Sequence, residues 1–241
     1  MNRQDDLFKF YNTISGDADE QAYNSDMLVQ KYFQRRKTAV IKDTLQVTNH
    51  DLLLDIGCGS GVQIREVVGS QHTRAIGIDV SKNAVEFARK KSIQNTEFLI
   101  ADAQHLPIKT GCITKVVSAE IIEHLVSPQD LVHEIARVLK DKGEVVITTP
   151  NNNALWNVYE YLWDTFGRGR NYGETYISLL TESGLKKEFT GLSECKTRTI
   201  FFIAPLLALS NSEVLLRVGR WIDKIFEPWG WGVSIILHAR K

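Results

Sequence analysis

The sequence of 241 residues predicts a doubly wound α/β fold with a mostly parallel sheet, and three observations carry that expectation. Between Asp51 and Thr149, short apolar runs alternate with helical patterns, as successive βαβ units do. The first run, Leu52-Leu53-Leu54-Asp55-Ile56, leads straight into the glycine-rich turn Gly57-Cys58-Gly59-Ser60-Gly61. The second run ends on Asp79, 22 residues after Gly57, close to the spacing at which an acid reaches ribose hydroxyls.

Strands are expected at 52–56, 74–78, 96–100, 115–119 and 144–149. These runs lack polar alternation, which fits strands covered by helices on both faces. Ser81 is placed to cap a helix running to Lys91, with Ala84, Val85 and Ala88 inward. Ser127 is placed to cap the next, with Pro128 in the first turn, Asp130 completing a capping box, and Lys140 and Lys142 at the negative end before Gly143. Leu131, Ile135, Val138 and Leu139 form its apolar stripe. Residues 1–50 read as a helical extension that includes a helix at 26–41. Beyond 150, Tyr176–Gly184 reads as a helix, Lys187–Leu192 as a strand, and Val233–Arg240 as the last strand. The expected organisation is one domain over 1–241, with a core at 51–150 and a substrate-side part at 151–241.

Composition narrows the function. The 29 basic and 29 acidic residues leave no net field to draw the chain onto polyanions, which disfavours nucleic acid as a partner. Cys58, Cys112 and Cys195 form no CxxC pair, so a disulfide framework and a zinc knuckle are not signalled, and a reducing, cytoplasmic setting is expected. The polar N-terminus has no secretory core. The apolar run Ile200–Leu209 contains Pro205 and is about half the roughly 20 residues that a spanning helix needs.

The turn carries the chemistry. Glycine permits positive φ and close approach of a ligand to the backbone, and the start of the following helix offers N–H groups to an anion such as a carboxylate. Ligands of open α/β sheets bind beyond the carboxyl ends of the strands, where this turn lies. A nicotinamide or flavin fingerprint wants glycine or alanine five positions after the first glycine; Val62 stands there instead. LLLDIGCGSG, AIGIDVSKNAVEFARKK, FLIADAQHLP and LKDKGEVVITTPN resemble the successive motifs of class I S-adenosylmethionine-dependent methyltransferases, over about residues 50–150. The resemblance implies a seven-stranded sheet of order 3-2-1-4-5-7-6 with the last strand antiparallel, and S-adenosylmethionine as cofactor. It implies that Gly57, Gly59 and Gly61 hold the methionine part with Asp55 supporting the loop. Asp79 would take the ribose hydroxyls, Val80 would pack on adenine, Asp102 and Ala103 would reach its edge, and Glu120 would border the cofactor. Apart from the resemblance, the helix at 26–41 either closes over the cofactor carboxylate with Tyr32, Arg35 or Arg36 or, as is more usual for a basic helix, simply has a solvated charged face. Where the family places Phe-Asp before the fourth strand, this sequence has Ile113-Thr114.

After the fourth strand, Glu120, Glu123 and His124 would share one face if the segment were helical. This ExxEH string resembles one in quinone-pathway O-methyltransferases and small-RNA 2′-O-methyltransferases. The latter carry further histidines after the fifth strand, and Pro150 to Tyr172 has none; no metal is expected. His124 as base or substrate contact, with Glu123, is the catalytic candidate, against the plainer reading of two polar residues at a helix start. Trp156, Tyr159, Trp163 and Phe166 recur at helical spacing, and Trp221, Ile222, Ile225 and Phe226 form a second stripe. Core packing is the usual fate of such stripes. The alternative is a lid over an apolar acceptor or a peripheral membrane contact, with which Arg168 and Arg170 are compatible. The expected function is methyl transfer to a small, partly apolar organic acceptor; a macromolecular methyltransferase and a non-catalytic S-adenosylmethionine-binding protein are the alternatives.

Overall fold

The computed structural model describes residues 3–69, 72–166, 178–208 and 210–241. Seven strands form one sheet in the order β3-β2-β1-β4-β5-β7-β6. They are β1 (Leu52–Ile56), β2 (Arg74–Asp79), β3 (Thr96–Ile100), β4 (Ile113–Ala119), β5 (Leu139–Pro150), β6 (Ser193–Ile200) and β7 (Ser234–Arg240). The first five run parallel, and β7 is antiparallel to both β5 and β6. The fold class and strand order are those expected.

Helices α1 (Arg3–Thr13), α2 (Ala18–Tyr23) and α3 (Leu28–Leu45) precede the sheet. They are followed by α4 (Val62–Val68), α5 (Lys82–Lys90), α6 (Pro128–Val138), α7 (Ala154–Phe166), α8 (Glu182–Glu188), α9 (Ala204–Ala208) and α10 (Glu213–Phe226). Neighbouring residues of one strand enter opposite cores, because side chains alternate across a sheet. Leu54, Val116 and Val145 join the layer of α6 and α8, whereas Leu53, Val117 and Val146 join that of α3, α4 and α5. Both faces are thus apolar, which is why the strand runs are unbroken. Each fully buried aliphatic side chain stabilises this arrangement by roughly 1.5–3 kcal/mol.

Several local expectations need correction. Residues 187–192 are not a strand: Lys187 and Glu188 end α8, and Phe189 and Leu192 turn into the core before β6 begins at Ser193. The helix expected at Tyr176–Gly184 begins only at Glu182, capped by the Thr181 hydroxyl; 176–177 lie outside the described residues. Ser127 makes no side-chain cap. Its carbonyl accepts from Asp130 N and its own N–H goes to Gln104, so no capping box forms. Lys140 and Lys142 lie in β5, and the cation of the last turn of α6 is Arg137, bound to Glu134 at 2.7 Å. Ser81 caps α5 as expected. At the departure from the family pattern, the Thr114 hydroxyl bonds both the N–H and the C=O of Leu52, tying β4 to β1.

The aromatic stripes divide. Trp156 is buried, while the side chains of Tyr159, Trp163 and Phe166, and all of Arg168 and Arg170, lie outside what is described. Trp221 and Ile225 are exposed, so core packing does not account for the second stripe. No helix among the described residues is long and apolar enough to cross a membrane.

Candidate functional site

The glycine turn stands at the carboxyl edge of β1, with β2 and β4 on either side. Gly57, Gly59 and Gly61 all have positive φ, between 50° and 80°, which only glycine adopts without steric cost. Space adds a second constraint, because a Cβ on Gly57 would collide with the Ile121 side chain and one on Gly59 with the Asp19 carboxylate.

The turn's N–H groups are engaged by the chain itself. Gly57 and Cys58 donate to Ile78 O, Gly59 donates to Asp79 Oδ2 at 2.8 Å, and Ser60 donates to Asp19 Oδ2 at 3.1 Å. The anion that the sequence places at this turn is therefore, in this structure, the chain's own Asp19 from α2. Asp79 also accepts from Ser81 N at 2.8 Å, so each of its oxygens retains a lone pair for a further donor.

Behind the turn Asp55 is buried, and its Oδ2 has no hydrogen-bond partner among the described residues. No hydrogen bond from Asp55 to the loop accompanies the supporting role that the resemblance implied. Burial, and then the nearby Asp79 and Asp19 charges, push the Asp55 carboxyl up to about 8. Burial likewise raises Asp79 to about 6, against the pull of its backbone donors. Asp19 is raised too, by desolvation, although the residue as a whole is exposed. Three carboxyls thus stand together, of which Asp55 is buried, and the nearby cation acting on Asp19 and Asp55 is Lys37.

Lys37 was not picked out by the sequence reading. It lies on α3, is buried, and stands 5.6 Å from the Phe33 ring centroid. The residues expected to face a ligand carboxylate are elsewhere: Arg36 pairs with Glu227 at 3.3 Å, Arg35 bonds Tyr23 O, and Tyr32 packs edge-on against Phe201. The helix itself runs from Leu28 to Leu45, longer than the 26–41 expected.

These groups face a cavity of about 700 Å³. Val80, Asp102, Ala103 and Glu120 line it, together with Asp55, Gly57, Gly59 and Asp79; Gly61 caps α4 just behind. Asp102 accepts from Gln104 N at 2.9 Å, which orients its carboxylate. Apolar side chains, Leu7, Phe8, Ile14, Phe33 and Trp156, line the cavity as well.

The segment after β4 is not an α-helix that presents three ligands on one face. Glu120 has φ +57°, and only Ile122–His124 makes a 3₁₀ turn. Glu120 accepts from Thr148 Oγ1 at 2.8 Å, while Glu123 points into the protein and accepts from Thr149 Oγ1 at 3.0 Å. Glu123 is fully buried, and burial followed by the Glu120 charge raises its carboxyl well above the usual range. His124 lies at the cavity wall, edge-on to Tyr11, with Nε2 4.0 Å from Glu123 Oε1. Among the described residues, no three His, Cys, Asp or Glu side chains are grouped to hold a metal ion.

Residues 54–147 match the model of a methyltransferase domain. A malonyl-[acyl-carrier protein] O-methyltransferase of Marinomonas sp. (strain MWYL1) is 30% identical over 142 residues, covering 58% of this chain and 51% of that protein. A probable S-adenosylmethionine-dependent methyltransferase of Mycobacterium tuberculosis (strain CDC 1551 / Oshkosh) is 28% identical over 126 residues, covering 52% and 45%. The chain spans about half the length of the curated relatives it matches. Among solved structures, geranyl diphosphate C-methyltransferase from Streptomyces coelicolor A3(2), in complex with Mg2+, geranyl-S-thiolodiphosphate and S-adenosyl-L-homocysteine, superposes with a TM-score of 0.72 at 15% identity, covering 100% of this chain and 98% of that one.

Residues 54–147 thus resemble a methyltransferase domain, and the sheet around them has the fold of solved methyltransferases. The site fits S-adenosylmethionine, the cofactor that such relatives are named for, on its own terms. The cofactor brings a sulfonium and an ammonium against one carboxylate. A net cation is what a cluster of raised carboxyls with a bare Asp55 oxygen lacks, whereas a dinucleotide's pyrophosphate would add negative charge beside Asp19 and Asp79.

Proposed function

We propose that this protein transfers the methyl group of S-adenosylmethionine to a small, partly apolar organic acceptor, acting as one domain over residues 1–241 in a reducing, cytoplasmic setting. The supporting observation is the lining of the cavity. It combines the acid-rich glycine turn with apolar side chains and with His124. Three free cysteines fit the compartment.

In this reading Asp79 accepts the ribose hydroxyls, Val80 and Ala103 flank the adenine with Asp102 at its edge, and Glu120 borders the site. Gly57, Gly59 and Gly61 leave room for the methionine part, with Asp55 beneath it, and Lys37 takes its carboxylate. The bound cofactor supplies an already activated methyl group. The chain's own task is then to align a nucleophile for in-line displacement and to exclude water. Leu7, Phe8, Phe33 and Trp156 supply the apolar enclosure, which favours an acceptor with a hydrocarbon part. His124 takes the acceptor's proton on a ring nitrogen, and the buried Glu123 behind it sets the ring's orientation.

The test is a screen of hydroxy, amino and carboxylic acids with apolar tails, using labelled methyl donor. Label in at least one tailed acceptor, and turnover roughly 10²–10⁴-fold lower in His124→Ala, is expected. Cofactor binding without transfer to any acceptor would favour the non-catalytic alternative, and full turnover in His124→Ala across the pH range would remove His124 as base.

A further inference from the structure

Helix α10 shows its apolar residues to solvent. Val214, Val218, Trp221 and Ile225, at i, i+4, i+7 and i+11, fall on one face and are 71%, 46%, 65% and 46% exposed. The helix is held to the protein by its other side. Leu216, Gly219 and Asp223 are buried there, and a Cβ on Gly219 would stand 2.7 Å from the Ala204 Cα. Asp223 caps α9, accepting from Ile203 N at 2.7 Å and Ala204 N at 3.0 Å. The outward face is therefore fixed in place rather than available for repacking inward.

The stripe continues into the next turn of chain. Phe202, Phe226, Trp229 and Trp231 form an aromatic cluster, with Trp229 edge-on to Trp231 at 5.4 Å, yet the two indoles remain 61% and 49% exposed. The charges beside the stripe have one sign outward. Arg217, Arg220 and Lys224 line one flank, and none of them forms an ion pair among the described residues. The acids are accounted for: Asp223 is turned inward, Glu227 is paired with Arg36, and Glu213 stands at the N-terminal end.

We propose that α10 with Trp229 and Trp231 is a docking face for an anionic lipid bilayer. An apolar stripe flanked by arginine and lysine, with indoles at its edge, is the arrangement that settles into the headgroup boundary, with basic side chains drawn to anionic lipid. The face adjoins the cavity. Asn211 accepts from Leu28 N at 2.9 Å, joining the start of α10 to α3, and Met27 both lines the cavity and packs against the cluster of Val29, Ala204 and Leu216.

The full chain is tested by flotation with vesicles of phosphatidylcholine alone and of phosphatidylcholine with 30% phosphatidylglycerol (a proportion of about that size), and by size-exclusion chromatography. Association with the anionic vesicles, weakened severalfold by raising salt from about 0.1 to about 0.5 M, is expected. Trp221→Glu should lower the bound fraction about tenfold or more, and a triple charge reversal at Arg217, Arg220 and Lys224 should abolish the preference for anionic lipid. Both variants should keep the wild-type melting temperature and S-adenosylmethionine binding, because their side chains lie on the outer face. No association of the wild type, or equal association of Trp221→Glu, overturns the proposal. A wild-type dimer that Trp221→Glu converts to monomer, without vesicle binding, overturns it in favour of a second copy of this chain. None of these readouts depends on methyl transfer.

Discussion

Asp19 and Ser60 are joined across 41 residues of chain by a 3.1 Å hydrogen bond from the Ser60 amide to the Asp19 carboxylate. The bond lays α2 over the glycine turn and puts a third carboxyl beside Asp55 and Asp79. Asp19→Asn keeps an acceptor for Ser60 and removes the charge. The Asp19 charge raises both neighbouring carboxyls, so removing it relieves like-charge repulsion, and the variant without cofactor is expected to melt at a higher temperature. Interactions of charged partners contribute about 1.5–3 kcal/mol, so affinity for the cationic cofactor should fall roughly tenfold or more. Titration calorimetry and a thermal melt check the two together.

The same cluster sets a pH dependence. Asp79 at about 6 and Asp55 at about 8 stand above the unfolded carboxyl value of 3.8. Between these values the folded state binds more protons than the unfolded one, so stability without cofactor falls as pH rises from about 4 to about 8. Ionisation meanwhile strengthens attraction for a cation. The rise in melting temperature on adding S-adenosylmethionine should therefore widen from pH 5.5 to pH 8, values taken to about half a unit. A gap that narrows over this range would contradict the acid cluster as the cofactor's counter-charge.

Gly57 and Ile121 make a paired test of the turn. Gly57→Ala forces a side chain into positive φ, at about 1–2 kcal/mol, and into the Ile121 side chain. Loss of stability and of cofactor binding is expected. Adding Ile121→Ala removes the collision but not the φ cost, so the double variant should recover part of the melting temperature, as non-additive neighbours do.

Glu123 is buried beside Glu120 with its carboxyl raised, so its neutral form is favoured in the fold. Glu123→Gln preserves the shape and an acceptor for Thr149, and its stability should stay within about 1 kcal/mol of the wild type. Glu123→Ala leaves a cavity and an unpaired Thr149 hydroxyl, and about 2–5 kcal/mol should be lost. Urea unfolding distinguishes the two. With an acceptor in hand, Glu123→Gln should also shift the pH profile of turnover, which a purely structural role would leave unmoved.

What could be read from the residues alone was what depends on local pattern. The strand at 52–56 was legible because both its faces are buried, and the turn because three glycines follow a buried strand and an acid ends the next. Contacts made by distant segments were not. Asp19 and Lys37 sit in ordinary helical patterns, and only the packing of α2 and α3 against the turn brings them to the cavity. The expected face of Glu120, Glu123 and His124 failed because Glu120 takes a left-handed conformation, bonded to Thr148, and the helical period never starts. Residues 187–192 misled because Phe189 and Leu192 are core residues of a turn, and apolar spacing over six residues does not separate turn from strand.

The most direct measurement is calorimetric titration of S-adenosylmethionine and NAD into the wild type and into Asp79→Ala. The site described here requires S-adenosylmethionine to bind the wild type and NAD not to. With the two ribose contacts proposed for Asp79 removed, affinity should fall about 10²-fold, two ligand contacts at roughly 1.4 kcal/mol each. Heat from NAD instead of S-adenosylmethionine, or equal S-adenosylmethionine affinity in Asp79→Ala, would contradict it.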